Sequence, residues 1–461
     1  MPSFYGDVYE TIVDGVSGLS AGGDPSCQIV GSCSLGEVGK KYLLGKNSDL
    51  SVLGEGNLVD GIRDFFLTAP ADSVIVAVPT TGDIAGSLST VTKTGTGTAT
   101  NALTGTPKCN AEVILEITKA GALNEARAKY STDGGDTYTE EFIIPVGGAV
   151  TIDPCGAVIT FTEGGTPAES FVLGDTYSFT ATAPKSSLAK VIEGVNAGLD
   201  LYSPEFVFVA EDMDDTGWAG LGSLADTYYS AHKPVFFITK PALPSGDVDT
   251  YVSDLMTKRA TFAHRFVVVC AQYGEIIGAD GKLPARNGAG ILSGTIASAN
   301  VNQSVGEVNA FPVTVFKMPS GWTEAHSKTL DDGGFTVLRR YAGLKSLFWA
   351  NGRTMAESIS DYQFIEVVRT VFKAIRISRV AALGSLQGAG DSIGIERLKA
   401  NINTALNTMV KAVPRELTGF QVLFPDNQDI VNNGAAFELE LYGVPILRKI
   451  KLFLKYMYKE A

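Results

Sequence analysis

The stretch from Gly334 to Leu383 constrains this chain more than any other, because its periodicity changes midway. The first part, GFTVLRRYAGLKSLFW, is apolar and aromatic and reads as a strand ending near Trp349. Asn351-Gly352 follows, a pair that tolerates positive φ and so marks a turn. From about Asp361 the spacing becomes helical: Phe364, Val368, Val371, Ile375 and Ala382 share one face. Arg369, Lys373 and Arg376 share another, with Arg379 at its edge. A buried strand therefore feeds a helix with one oily and one basic side.

That basic stripe is local. The chain of 461 residues carries a formal net charge of −13, which argues against a general nucleic-acid binder. Its length suits two to four domains with sizeable cores. No apolar run reaches the length of a membrane span, and the start MPSFYGDVYE lacks a basic, oily leader. Neither membrane insertion nor export by a signal peptide is expected. The cysteines Cys27, Cys33, Cys109, Cys155 and Cys270 form no C-x-x-C pair and have no histidine nearby. Reduced, buried thiols fit them better than a zinc site or a disulfide framework.

In chain order, residues 1–25 read as a Gly/Ser-rich arm with a short strand holding Val8 and Ile12. Residues 28–79 read strand, loop, helix, strand. The helix carries Leu58, Ile62, Phe65 and Phe66, and the closing strand SVIVAVPT is apolar enough to be buried on both faces. SLSTVTKTGTGTATNALTGT, from Ser87, has the composition of a linker. Six short alternating segments follow, separated by Gly-rich turns, and predict an all-β sandwich inserted over 87–184. Within it, Cys109 and Cys155 either face each other or are isolated thiols. Helices and strands then alternate over 186–273, as in a parallel or mixed α/β sheet. Residues 284–312 are small and loop-prone. The helix IGIERLKANINTALNTMVKAV places Ile395, Leu398, Ile402, Leu406 and Met409 on one face and stops at Pro414. Two alternating strands, AFELELYGV and ILRKIKLFLKYMY, close the chain. In the second, Ile450, Leu452, Leu454 and Tyr456 form one oily face.

Motifs that carry chemistry are weak. Gly18-Leu19-Ser20-Ala21-Gly22 matches a nucleophile elbow but lies in the Gly-rich arm, and the chain has 3 His. Gly39-Lys40 lacks the flanking residues of a phosphate loop, and Gly388, Gly390 and Gly394 miss the dinucleotide spacing. Glu211-Asp212-Met213-Asp214-Asp215 sits at a strand end, where a cation is conceivable, but Ser223 stands where a calcium loop needs glutamate. No set of nucleophile, base and oxyanion donor emerges, so neither catalytic nor metal-binding residues are assigned, and no cofactor is implied.

The segment carrying Phe348, Trp349, Gly352, Arg353, Thr354, Asp361, Tyr362, Glu366, Arg369, Lys373 and Arg376 resembles the C-terminal domain of contractile tail sheath proteins. These sleeve the tails of bacteriophages and related injection systems. The element order on both sides of the β insert, with the Leu53-Gly54 step, is similar as well. The resemblance implies an α+β multidomain fold, with α/β sheet domains of the tail-sheath type and an inserted all-β sandwich. The expected parts are an arm (1–25), a discontinuous α/β domain (26–86 and 185–330), the insert (87–184) and a C-terminal domain (331–461). It further implies a non-enzymatic subunit that stacks in hexameric rings around a tail tube and contracts. Its partners would be other copies of itself, the tube protein, and baseplate and tail terminator proteins, in a virion tail assembled in the host cytoplasm. Arg369, Lys373, Arg376 and Arg379 become tube-contact candidates, or else a solvated face. Val8, Ile12, Ile450, Leu452, Leu454 and Tyr456 become inter-subunit strand candidates, or else complete their own sheet. The competing reading is an α/β enzyme or metal-binding protein with a β-sandwich module, centred on residues 211–215.

Overall fold

Consecutive Val, Ile and Phe cannot alternate between core and solvent, so such segments become strands covered on both faces. Several of them meet in one sheet of the computed structural model, which describes residues 26–278, 281–425, 428, 430 and 435–454. The first elements are β1 (Cys27–Ser32), β2 (Tyr42–Gly45), α1 (Asn57–Thr68) and β3 (Val74–Thr80). The insert follows as β4 (Ser87–Leu88), β5 (Thr92–Thr94), β6 (Thr100–Gly105), β7 (Ala111–Lys119), β8 (Arg127–Ser131), β9 (Phe142–Ile143), β10 (Ala149–Ile152), β11 (Ala157–Thr162) and β12 (Thr176–Thr182). Then come α2 (Leu188–Leu201), β13 (Phe206–Asp212), α3 (Asp215–Ser230), β14 (Phe236–Lys240), α4 (Val248–Arg259) and β15 (Val267–Val269).

The body sheet runs β15-β14-β13-β1-β3-β2. All its neighbours are parallel except β2 against β3. Parallel neighbours need crossovers, which α1, α3 and α4 supply. The insert interrupts the β3-to-β13 crossover, ahead of α2. Its entry and exit are joined by a backbone pair, Ile84 N to Lys185 O and Lys185 N to Ile84 O, both 3.0 Å.

Within the insert, β10-β11-β6 face a second sheet built on β12, β7, β8 and β9, with β4 and β5 both added to β12. Leu115, Ile117, Ile159, Phe161, Phe171 and Tyr177 are among the buried side chains of its own core. The segment expected as a linker is instead β4, β5 and β6. Thr is a good strand former on a half-exposed face, so a composition that looks like a tether pairs six residues of β6 with β11.

The described chain continues with β16 (Tyr273–Ile276), β17 (Ala285–Asn287), α5 (Ala289–Ser298), β18 (Phe316–Lys317), α6 (Glu324–Asp332), β19 (Leu338–Arg340) and β20 (Leu347–Trp349). Helix α5 overturns the loop expected over 284–312. AGILSGTIAS is buried almost all round and therefore has no polar face to betray a helical period. Its glycines let it lie against α1. A Cβ on Gly290 would come within 2.6 Å of Asp64 Cβ, and one on Gly294 within 2.2 Å of the Phe65 carbonyl oxygen. The strand expected to end near Trp349 is a short antiparallel pair, β19 with β20. Asn351 and Gly352 lack positive φ and belong to no turn. Asn351 instead donates to both carboxylate oxygens of Asp331, at 3.0 Å each.

The last elements are α7 (Ile365–Leu383), α8 (Ser392–Lys411), β21 (Leu417–Leu423) and β22 (Glu438–Gly443). The described residues fall into two compact units, Met1–Ser298 with Val305–Gln363, and Ala299–Ser304 with Phe364–Ala461. The second unit takes up the chain again at Phe364. Residues 331–363 lie in the first unit, where Met355 N donates to Val267 O at 2.8 Å and Ala271 N to Thr336 O at 3.1 Å.

Gly294→Val should destabilise the first unit by about 3 kcal/mol, because its Cβ meets backbone that cannot rotate away. Denaturant unfolding checks this, with Ser293→Ala as the neighbouring control.

Candidate functional site

Helix α7 is preceded by Phe364, whose backbone is extended, and packs with α8, β21 and β22 in the second unit. Ala374, Ile402, Leu406, Met409, Leu417 and Val422 make that core. The buried side of α7 differs from the one its apolar spacing marks out. Val368 is buried as expected, but Phe364, Val371, Ile375 and Ala382 are only partly so, whereas Glu366, Arg369, Thr370 and Ser378 are buried.

Polar residues can sit there because most are paired. Arg369 donates to the Ala299 and Asn300 carbonyls at 3.1 and 3.2 Å. Thr370 returns its hydroxyl to Glu366 O at 2.7 Å. Glu366 is 3% exposed, and burial pushes its carboxyl pKa up even though it pairs with the Arg448 guanidinium. Arg448 also lies over the Phe364 ring, 3.4 Å from its centroid.

The four expected tube-contact residues therefore separate. Arg369 is buried. Lys373 is half-buried and pairs with Glu416 at 2.5 Å. Arg376 is half-buried and Arg379 is exposed. Glu416 and Arg448 escaped the sequence reading. Each is an ordinary charge, separated by tens of residues from the helix it meets, and no local pattern marks either.

Strands β21 and β22 pair with each other, so among the described residues each has an open outer edge. Beside β22, a cavity of about 280 Å³ is lined by Val367, Val371, Leu441, Val444, Ile446 and Arg448, among others. Beyond Arg448 the described tail belongs to no strand. Ile450, Leu452 and Leu454, expected in a terminal strand, are 81%, 86% and 88% exposed. Among the described residues of this tail no strand is formed. Val8, Ile12 and Tyr456 lie outside the described residues.

The acidic run at 211–215, in the first unit, is structural. Glu211 is fully buried and accepts from Ser32 N at 2.6 Å and Asn57 Nδ2 at 2.7 Å, while burial raises its pKa. Asn57 in turn accepts from Asn110 Nδ2 at 3.2 Å, and Asn110 accepts from Ala183 N at 2.8 Å. Asp212 pairs with Lys240 at 3.2 Å, and Asp214 caps α3 by accepting from Gly217 N at 2.9 Å. Among the described residues no group of three His, Cys, Asp or Glu is placed to hold a metal ion. None of the described helices is long and apolar enough to cross a membrane.

Residues 5–353 match the family model described as DUF2586, N-terminal domain, and residues 361–461 match DUF2586, C-terminal domain. No curated protein matches the sequence. Among solved structures, the sheath tail protein of Desulfitobacterium hafniense is similar with a TM-score of 0.51 at 14% identity, over 95% of this chain and 100% of that one. The sheath of an extracellular contractile injection system, PVC, in the contracted state reaches 0.55 at 10% identity, over 99% and 98%. The contracted helical sheath of the anti-feeding prophage reaches 0.54 at 13% identity, over 99% of both chains. At these identities the likeness is one of fold, and the fold is that of contractile tail sheath proteins, as the resemblance implied.

Arg448→Ala should cost the second unit about 3 kcal/mol, since it leaves the Glu366 carboxyl buried without its guanidinium. Adding Glu366→Gln should recover most of that loss. Unfolding of the single and double variants, compared as a cycle, reads the coupling.

Proposed function

The chain belongs to the DUF2586 family, and from that premise we propose that it is the non-enzymatic structural subunit of a contractile tail sheath. Copies polymerise as stacked hexameric rings around a tail tube and contract to drive the tube through a target envelope. The observation that carries this reading is coverage. The fold likeness takes in 95–99% of this chain and 98–100% of the sheath chains, so it concerns the whole subunit and not one common domain. Stored energy would then reside in subunit packing, and no nucleotide is needed. Baseplate and tail terminator proteins are the partners at the two ends, in a virion tail assembled in the host cytoplasm.

The exposed tail supports self-assembly. Leu447 on one side of the Arg448 anchor, and Ile450, Leu452, Phe453 and Leu454 past it, present apolar side chains to solvent. Open sheet edges and free apolar strands satisfy one another by strand addition, in which ladder bonds give affinity and alternate side chains give register. Val8, Ile12 and Tyr456 belong to the same proposal. For the tube, Arg376 and Arg379 are the candidates, with Lys373 contributing if its pair with Glu416 opens. The insert decorates the outside of the sleeve.

Negative-stain imaging of the purified chain should show sleeves or stacked rings. Removing residues 450–461, which keeps Arg448, should leave folded, soluble subunits that no longer polymerise; full-length sleeves from the shortened chain would sink the strand-addition reading. Arg379→Glu should weaken co-sedimentation with the tail tube at low salt and leave sleeve formation intact. Unaltered tube binding across salt concentrations would remove this residue from the interface.

A further inference from the structure

Two of the cysteines stand together in the insert. Cys109 precedes β7 and Cys155 precedes β11, so each sits at the start of a strand in a different sheet. Both are buried in the insert's own core. The β6–β11 ladder pairs Gly105 with Ala157, and past its end Lys108 N still donates to Cys155 O at 2.8 Å. The two segments thus remain at the separation of paired strands. Facing side chains at that separation come about as close as a disulfide requires, with Cβ atoms roughly 3.5–5.5 Å apart. The neighbouring Cys155 thiol, together with burial, pushes the Cys109 thiol up, while the Cys109 thiol draws Cys155 down to about 7. Both are free thiols. Cys109 also lines a cavity of about 490 Å³, together with Asn110, Pro154 and Arg286, so a small oxidant can reach it. Cys27 and Cys270, by contrast, are completely buried in the body.

We propose that Cys109 and Cys155 form a dithiol site that a hydroperoxide closes to a disulfide, stapling the two sheets of the insert. Oxygen transfer to one of the two sulfurs breaks the peroxide O–O bond, gives a sulfenic acid and releases one water or alcohol. Attack by the other sulfur then forms the S–S bond, breaks the S–O bond and releases a water that carries the second thiol's proton. One peroxide is reduced and two thiols are oxidised. The closed loop spans residues 109–155 and restricts the unfolded insert far more than the folded one.

The test treats the full chain with dilute hydrogen peroxide, then unfolds it in an alkylating agent and maps its peptides. The expected product joins the Cys109 and Cys155 peptides, is roughly 2 Da lighter than their sum and separates under dithiothreitol, while Cys27 and Cys270 are alkylated. The treated protein should also unfold several degrees higher than the reduced protein, and Cys109→Ser should abolish that rise. Should Cys109→Ser not fold, the reduced and oxidised wild-type chains still give both readouts. Recovery of Cys109 and Cys155 as alkylated thiols, while half-exposed Cys33 is oxidised, overturns the proposal. So does a sulfinic acid at Cys109 without a cross-link.

Discussion

The body of this protein depends on one buried carboxylate. Glu211 is the penultimate residue of β13, beside the end of β1, where the strand order turns from one side of the sheet to the other, and it has no access to water. A charge there is costly unless hydrogen-bonded, and the Ser32 amide and Asn57 side chain meet both of its oxygens. The bonds fix the seam between β1 and β13 and the entry to α1 together. Asn57 and Asn110 extend the chain of donors to Ala183 at the end of the insert. One ionisable group thus sets the register of the body and the attachment of the domain that interrupts it. In other α/β sheets the crevice at such a strand end holds ligands; here side chains of the chain itself occupy the polar positions.

Much of the sheet was legible because its signal is local. The Val-rich runs of β1, β3, β13 and β14 allow little besides buried strands, and the alternation in β7, β11 and β12 matches their burial residue by residue. Where expectation failed, the missing information was tertiary. Helix α5 is built on Gly, Ser and Ala, so its stability lies in how near α1 can come, which no periodicity reports. The threonines of β4 to β6 look like a tether until a partner strand is present.

The second unit teaches the same point through charge. Arg369 belongs by spacing to a basic face, yet carbonyls of residues 299 and 300 draw it inward. Glu366 looks like an ordinary helix carboxylate, yet it meets an arginine near the far end of the chain. Both pairings bring together residues tens of positions apart, and a single sequence holds no record of them. The structure shows which of that segment's charges are buried and paired, which its spacing alone does not.

The backbone pair between Ile84 and Lys185 has a mechanical consequence. Whatever lies between them, the body sees two chain ends clasped at a fixed separation. Pulling on the insert loads those two hydrogen bonds in an unzipping direction before it reaches β3 or α2. Sequence drift, lengthening or wholesale replacement beyond the clasp leaves the crossover the same length. The insert can therefore change without retuning the sheet that carries it.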